Sequence, residues 1–107
     1  MPLTKDFNEN VKTRLQRSDA FRRALLREAV SCMISGDLET GKSVLRKYIN
    51  GTIGFVKLGT DLGRSPKVLM RMFSPSGNPQ AKNLFEIVAY LQKIDGTVLK
   101  VVDRRAA

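Results

Sequence analysis

The chain has 107 residues, 42% of them hydrophobic, which suits one compact domain with one core. Nineteen Lys and Arg against ten Asp and Glu leave a formal charge of +9, more than solubility needs, so an acidic partner is expected, nucleic acid first because neutralised phosphates release counterions. The absence of histidine and the single cysteine, Cys32, remove the usual general base, the commonest metal ligand and any disulfide framework, so no enzyme, metal site or cofactor is expected.

The first segment, after Thr4, spaces Phe7, Val11 and Leu15 four residues apart, a helical stripe. A second helix begins at Ser18 or Asp19 and carries Phe21, Leu25, Leu26, Ala29, Val30 and Met33 on one face until Gly36 stops it. Cys32, set among Val30, Met33 and Ile34, reads as a buried small hydrophobe. Asp37 caps a third helix with Leu38, Gly41, Leu45, Tyr48 and Ile49 inward and Lys42, Arg46 and Lys47 outward, ending near Asn50-Gly51.

A short fourth helix from about Thr52 places Phe55, Leu58, Gly59 and Leu62 on one side, and Gly63 closes it. Ser65-Pro66 restarts a helix at once, since serine caps and proline suits the first helical position. This fifth helix turns Leu69, Met72 and Phe73 inward and Lys67, Met70, Arg71 and Ser74 outward. After the loop Ser74 to Pro79, a sixth helix is capped by Asn78 and buries Leu84, Ile87, Val88 and Leu91. Gly96 ends it. Thr97 to Val102 is rich in β-branched residues and reads as a short strand, which must pair with a second copy or another protein or else pack as an extended tail. The expected fold is therefore all-α, a compact bundle of five or six short helices containing a helix-turn-helix, with a short C-terminal β-strand. Its organisation is an N-terminal helical extension (1–36), a core (37–96) and a strand with tail (97–107).

Function concentrates between Lys42 and Lys82, where eight basic residues face one acid, Asp61, while the rest of the chain is nearly balanced at eleven against nine. A solvated surface that happens to be basic is the alternative. Within this stretch, GFVKLGTDLGRSPKVLMRMF satisfies the needs of two steeply crossing helices: a small residue at the approach, a glycine in the turn, and apolar residues holding each helix down. The outward side chains at the start of the second helix would then enter a major groove. Lys67 and Arg71 are the candidates for base edges, with Val68 and Met70 for thymine methyls. Arg64, Ser65, Lys47, Ser76, Asn78 and Lys82 are candidates for phosphate contacts, each with a bland reading as a cap, turn or wet surface residue.

The run LGTDLGRSPKVLMRMFSPSGNPQAKNLFEIVAYL resembles the helix-turn-helix of phage repressors of the Cro or XRE type. The SPSGNP loop, NLFEIVAYLQ and the terminal strand are similar to the DNA-binding antidote proteins of bacterial toxin–antitoxin addiction modules. The likeness spans Phe7 to Val102. It implies base reading by Pro66, Lys67, Val68 and Arg71, although the Pro66 side chain offers no hydrogen bond. Gly59 stands where that family usually has alanine, and Phe55 where a polar phosphate-contacting residue often begins the first helix. The resemblance further implies a homodimer on double-stranded operator DNA that represses its own operon and neutralises a toxin of the RelE/ParE type. A free-standing phage-type repressor and a toxin-sequestering module without DNA reading are the competing expectations. With no apolar run of about 18 residues and no secretory signal, a cytoplasmic protein without membrane contact is expected.

Overall fold

The computed structural model describes residues 3–106, with side chains from Asn10 onward. Its elements are all helical: α1 (Leu3–Arg17), α2 (Asp19–Ile34), α3 (Leu38–Gly51), α4 (Phe55–Leu62), α5 (Pro66–Met72) and α6 (Ala81–Asp95). None is long and apolar enough to cross a membrane. The Phe7 side chain lies outside the described residues, but the stripe it opens continues through half-buried Val11 and fully buried Leu15.

The boundaries follow local chemistry. Ser18 alone separates α1 from α2, and its hydroxyl accepts the Phe21 amide at 3.1 Å, meeting a donor that would otherwise be orphaned. Asp37 does the same for α3 through the Thr40 amide at 3.2 Å, and this bonding holds its carboxyl below the ordinary range. Arg22 then ties three elements together. Its guanidinium donates to the Leu15 carbonyl at the end of α1 (2.8 Å), to Asp19 at the start of α2, and to Asp95 at the end of α6 (3.1 Å). The Arg14 guanidinium lies 4.0 Å above the Phe21 ring, a further contact between α1 and α2.

One buried cluster runs through the molecule, uniting Leu15, Leu26 and Ala29 with Leu45, Tyr48 and Ile49 of α3, Leu58 of α4, Leu69 of α5 and Ile87 and Leu91 of α6. Burial, with the nearby Asp95 charge, pushes the Tyr48 hydroxyl up to about 12. The N-terminal helices thus complete the same core as the helices that follow.

The chain departs from the sequence reading in five places in the framework, besides Ser65, whose hydroxyl does not cap α5, and Arg64, both described with the candidate site below. Thr52 is the C-cap of α3 and does not open α4. The latter starts at Phe55 because Gly54, at φ +81°, reverses the backbone first. Asn78 does not cap α6, since Gln80 holds that position without a side-chain capping bond. Cys32 is only partly buried, its thiol directed to Glu28 at 3.6 Å. Lys42 is not outward, as described below. Finally, residues 97–106 form no strand. The Thr97 amide bonds the Gln92 carbonyl (3.0 Å) and the Leu99 amide the Gln92 Oε1 (2.8 Å), so the start of the segment is tied back to α6 and the rest follows as a tail without regular secondary structure. β-Branched residues favour extension, but a ladder needs a neighbouring strand, and the described residues hold none.

The α4–α5 corner depends on two glycines. Gly63 takes the left-handed conformation (φ +67°), and the Arg64 amide reaches back to the Gly59 carbonyl at 2.8 Å, closing α4 with a Schellman-type end. At Gly59 itself, an added Cβ would stand 2.5 Å from the Arg64 carbonyl oxygen and 3.4 Å from Pro66 Cδ. The start of α5 can therefore lie against α4 only over a bare backbone. Gly59→Ala is expected to destabilise the protein by about 1–3 kcal/mol, because the extra methyl must push backbone apart. A urea titration would show this as a lower midpoint at an unchanged slope, whereas an unmoved midpoint would mean that the corner opens freely.

Candidate functional site

A helix of seven residues has too few internal hydrogen bonds to persist alone, so α5 must be held from outside. Its inner side is anchored by buried Leu69 and by Phe73, whose ring lies 6.1 Å from that of Phe55 at a 48° tilt. Ser65 occupies the N-cap with its carbonyl accepting the Leu69 amide at 3.1 Å, while its hydroxyl makes no capping bond. Pro66 stands at the first helical position. With the inner side so committed, Lys67, Val68, Met70 and Arg71 are left exposed together on the outer face, Val68 and Met70 at 43% and 47%.

The C-terminal end of α5 is held by a device that sequence reasoning missed. Lys42 of α3 is only 1% exposed. Its ammonium donates to the Ser74 carbonyl at 3.0 Å and the Gly77 carbonyl at 2.6 Å, and pairs with Glu39 Oε2 at 3.0 Å, which uses all three of its N–H bonds. Arg46, one turn on, points at the Phe73 carbonyl at 3.5 Å. A cation at the carbonyl end of a helix is favourable, and here it also folds the following loop. Within that loop Ser74 to Gly77 form a turn with proline second, closed by the Gly77 amide on the Ser74 carbonyl at 2.9 Å. Gly77 packs so closely beneath α5 that a Cβ there would collide with the Arg71 and Met72 carbonyls. The signal for Lys42 was present in the stripe. It lies four residues after Leu38 and three before Leu45, on the apolar side of α3.

The remaining sequence-predicted residues divide. Ser76 and Asn78 are exposed in the loop and Lys82 is exposed in the first turn of α6, so they follow the α5 face along the chain. Arg64 turns away. Its Nη2 donates to Asn83 Oδ1 at 2.8 Å and approaches Glu86 Oε1 at 3.5 Å, and its Nε is buried without a partner among the described residues. Lys47 is half-buried on α3 beside Arg46. Lys57 pairs with Asp61 at 3.4 Å on α4. The basic field between residues 42 and 82 is therefore thinner than the count of eight suggests: Lys42 is internal, and Lys57 and Arg64 are paired within the chain. By contrast, neither Lys67, Arg71 nor Lys82 has a carboxylate partner among the described residues.

Asp61 also accepts a hydrogen bond from the Tyr90 hydroxyl, joining α4 to α6. That bond, with help from Lys57, holds the Asp61 carboxyl below its ordinary range, and the same bond raises the Tyr90 hydroxyl. No family model, curated protein or solved structure matches the chain.

Two outcomes follow from these contacts. Lys42→Ala strands two loop carbonyls and is expected to cost about 1–3 kcal/mol, with faster amide exchange at Gly77 than in the parent. Unchanged exchange at Gly77 would show that the loop holds its shape without the ammonium. Because the folded Asp61 carboxyl lies below its unfolded value of about 4, its contribution is complete above that pH and is lost as pH falls through the folded value. Urea midpoints measured from neutral to acid pH should therefore fall less steeply in Tyr90→Phe than in the parent. Parallel curves would remove Asp61 from the account.

Proposed function

We propose that the chain is a sequence-specific, DNA-binding transcriptional regulator that uses α4 and α5 as a helix-turn-helix. Lys67 and Arg71 read base edges, and Val68 and Met70 touch thymine methyls. Ser65, Ser76, Asn78 and Lys82 contact phosphates, with Lys47 alongside, while Arg64 serves first to fix the corner to α6. The observation that carries this reading is the outer face of α5, where two cations without internal carboxylate partners flank two exposed apolar side chains on a helix held at both ends. That mixture suits the major groove, in which guanine offers paired acceptors and thymine a methyl group.

The helix starts add support. Neither α5 nor α6 carries an acid in its first turn, and each carries a lysine there, Lys67 and Lys82. A cation at that end opposes the helix dipole, typically by about 0.3–1 kcal/mol, and an arriving phosphate reverses the penalty. As part of the same proposal, the protein is a cytoplasmic homodimer without cofactor or catalytic activity. It acts as the antitoxin of a toxin–antitoxin module, repressing its own operon and neutralising a RelE/ParE-type toxin. A second reading, an interaction module without DNA reading, draws on the exposed apolar surface beside α2 and α6.

Titration of labelled duplexes from the region upstream of its own gene, by fluorescence anisotropy, tests the reading. Lys82→Ala should weaken binding to every duplex alike and lower the salt slope by about 1. Arg71→Ala should instead relax the preference at one base position, by about 1–3 kcal/mol of discrimination. Equal affinity of the parent for all duplexes would leave only the interaction module standing.

A further inference from the structure

Between α2, α6 and the tail lies an open groove of 840 Å³. Its apolar wall includes Ile34, Phe85, Val88 and Leu99, and of these Ile34 and Phe85 are 63% and 59% exposed. Val98, Val101 and Val102 of the tail, at 75–84%, extend the same surface. Three charged side chains border it, Arg23, Arg27 and Lys100, all basic; none of the lining residues is acidic. Arg23 and Arg27 stand four residues apart on α2, a spacing at which like charges repel, and neither has an ion-pair partner among the described residues. The tail leaves its hydrogen-bonding edge open. Beyond the Leu99 amide, no backbone amide from Lys100 to Val102 has a partner among the described residues.

Wet apolar side chains, unpaired cations and a run of unpartnered backbone amides outside any helix are complementary to one kind of occupant. We infer that the groove docks an extended segment of a partner protein, alternating aliphatic side chains with carboxylates, which adds as a strand to residues 98–102. Backbone pairing supplies affinity to such a complex, and the pockets and charges supply selectivity. A second copy of the chain fits poorly, because two-fold contact would set Arg23, Arg27 and Lys100 against a like-charged groove. The site shares no residue with the α5 face and stands whether or not that face reads DNA.

The test uses the full chain and a fluorescein-labelled peptide alternating valine and glutamate over about six residues, the usual length of a strand. A valine–lysine peptide and a serine–glutamate peptide serve as controls. The valine–glutamate peptide alone should bind. Arg23→Glu with Arg27→Glu should weaken it by about tenfold or more and confer binding of the valine–lysine peptide, and Phe85→Ala should weaken it without changing charge preference. Because all three side chains lie at the surface, circular dichroism should show the parent fold in each variant. No binding of the valine–glutamate peptide at millimolar concentration, or equal binding of all three peptides, overturns the inference. Sedimentation showing a dimer that Val101→Asp dissociates would assign the groove to a second copy and overturn it too. So would flotation with phosphatidylglycerol vesicles that Phe85→Ala abolishes, since the occupant would then be a membrane.

Discussion

The ammonium of Lys42 is the contact on which the geometry around α5 depends. A buried charge is costly unless each of its hydrogens is met, and here two loop carbonyls and one carboxylate meet them. Satisfaction of the lysine and shape of the loop are one condition, because the Ser74 and Gly77 carbonyls point inward only when the turn is formed. Gly77 then sits under the end of α5, Phe73 is carried against Phe55, and the seven-residue helix is fixed at its C-terminal end. Its other end is fixed by the bare backbone of Gly59. The orientation of the outer face is the joint product of a cation in α3 and a missing side chain in α4.

A second set of polar ties sets the frame around this corner. Arg22 binds the ends of α1 and α6 to the start of α2, and Tyr90 with Asp61 binds α4 to α6. These groups are partly exposed, so each contributes modestly and is weakened by salt or acid. Burial of leucines and aromatics provides most of the stability, while the polar ties choose among the ways in which six short helices could pack.

The helical framework is largely legible in the sequence because several helix ends carry a residue whose local chemistry acts alone. Ser18, Asp37, Gly63, Ser65-Pro66 and Gly96 all mark the boundaries expected of them. The errors share a different origin. Residue type assigns Lys42 to solvent although its position lies within the apolar stripe, and the distant loop at residues 74–77, together with Glu39, explains how a charge is tolerated there. Arg64 reads in the sequence as an available cation, but its partners, Asn83 and Glu86, come from α6 and lie far from it in the chain. The β-branched composition of Thr97 to Val102 is readable, but a strand depends on a pairing neighbour that the described residues do not provide. Around the candidate site, the exposed side chains of α5 were legible from spacing, and the supports beneath them were not, since those join segments far apart in the sequence.

Within α5, the side chains that hold the helix and those that face outward are different residues. Leu69, Met72 and Phe73 belong to the interior, whereas Lys67, Val68, Met70 and Arg71 add little to it. The outer positions can accordingly change in charge and size with small consequence for folding, provided that helix propensity is kept. Selection can thus vary this surface one residue at a time, on a scaffold that remains constant, and a change there need not await a compensating change elsewhere in the core.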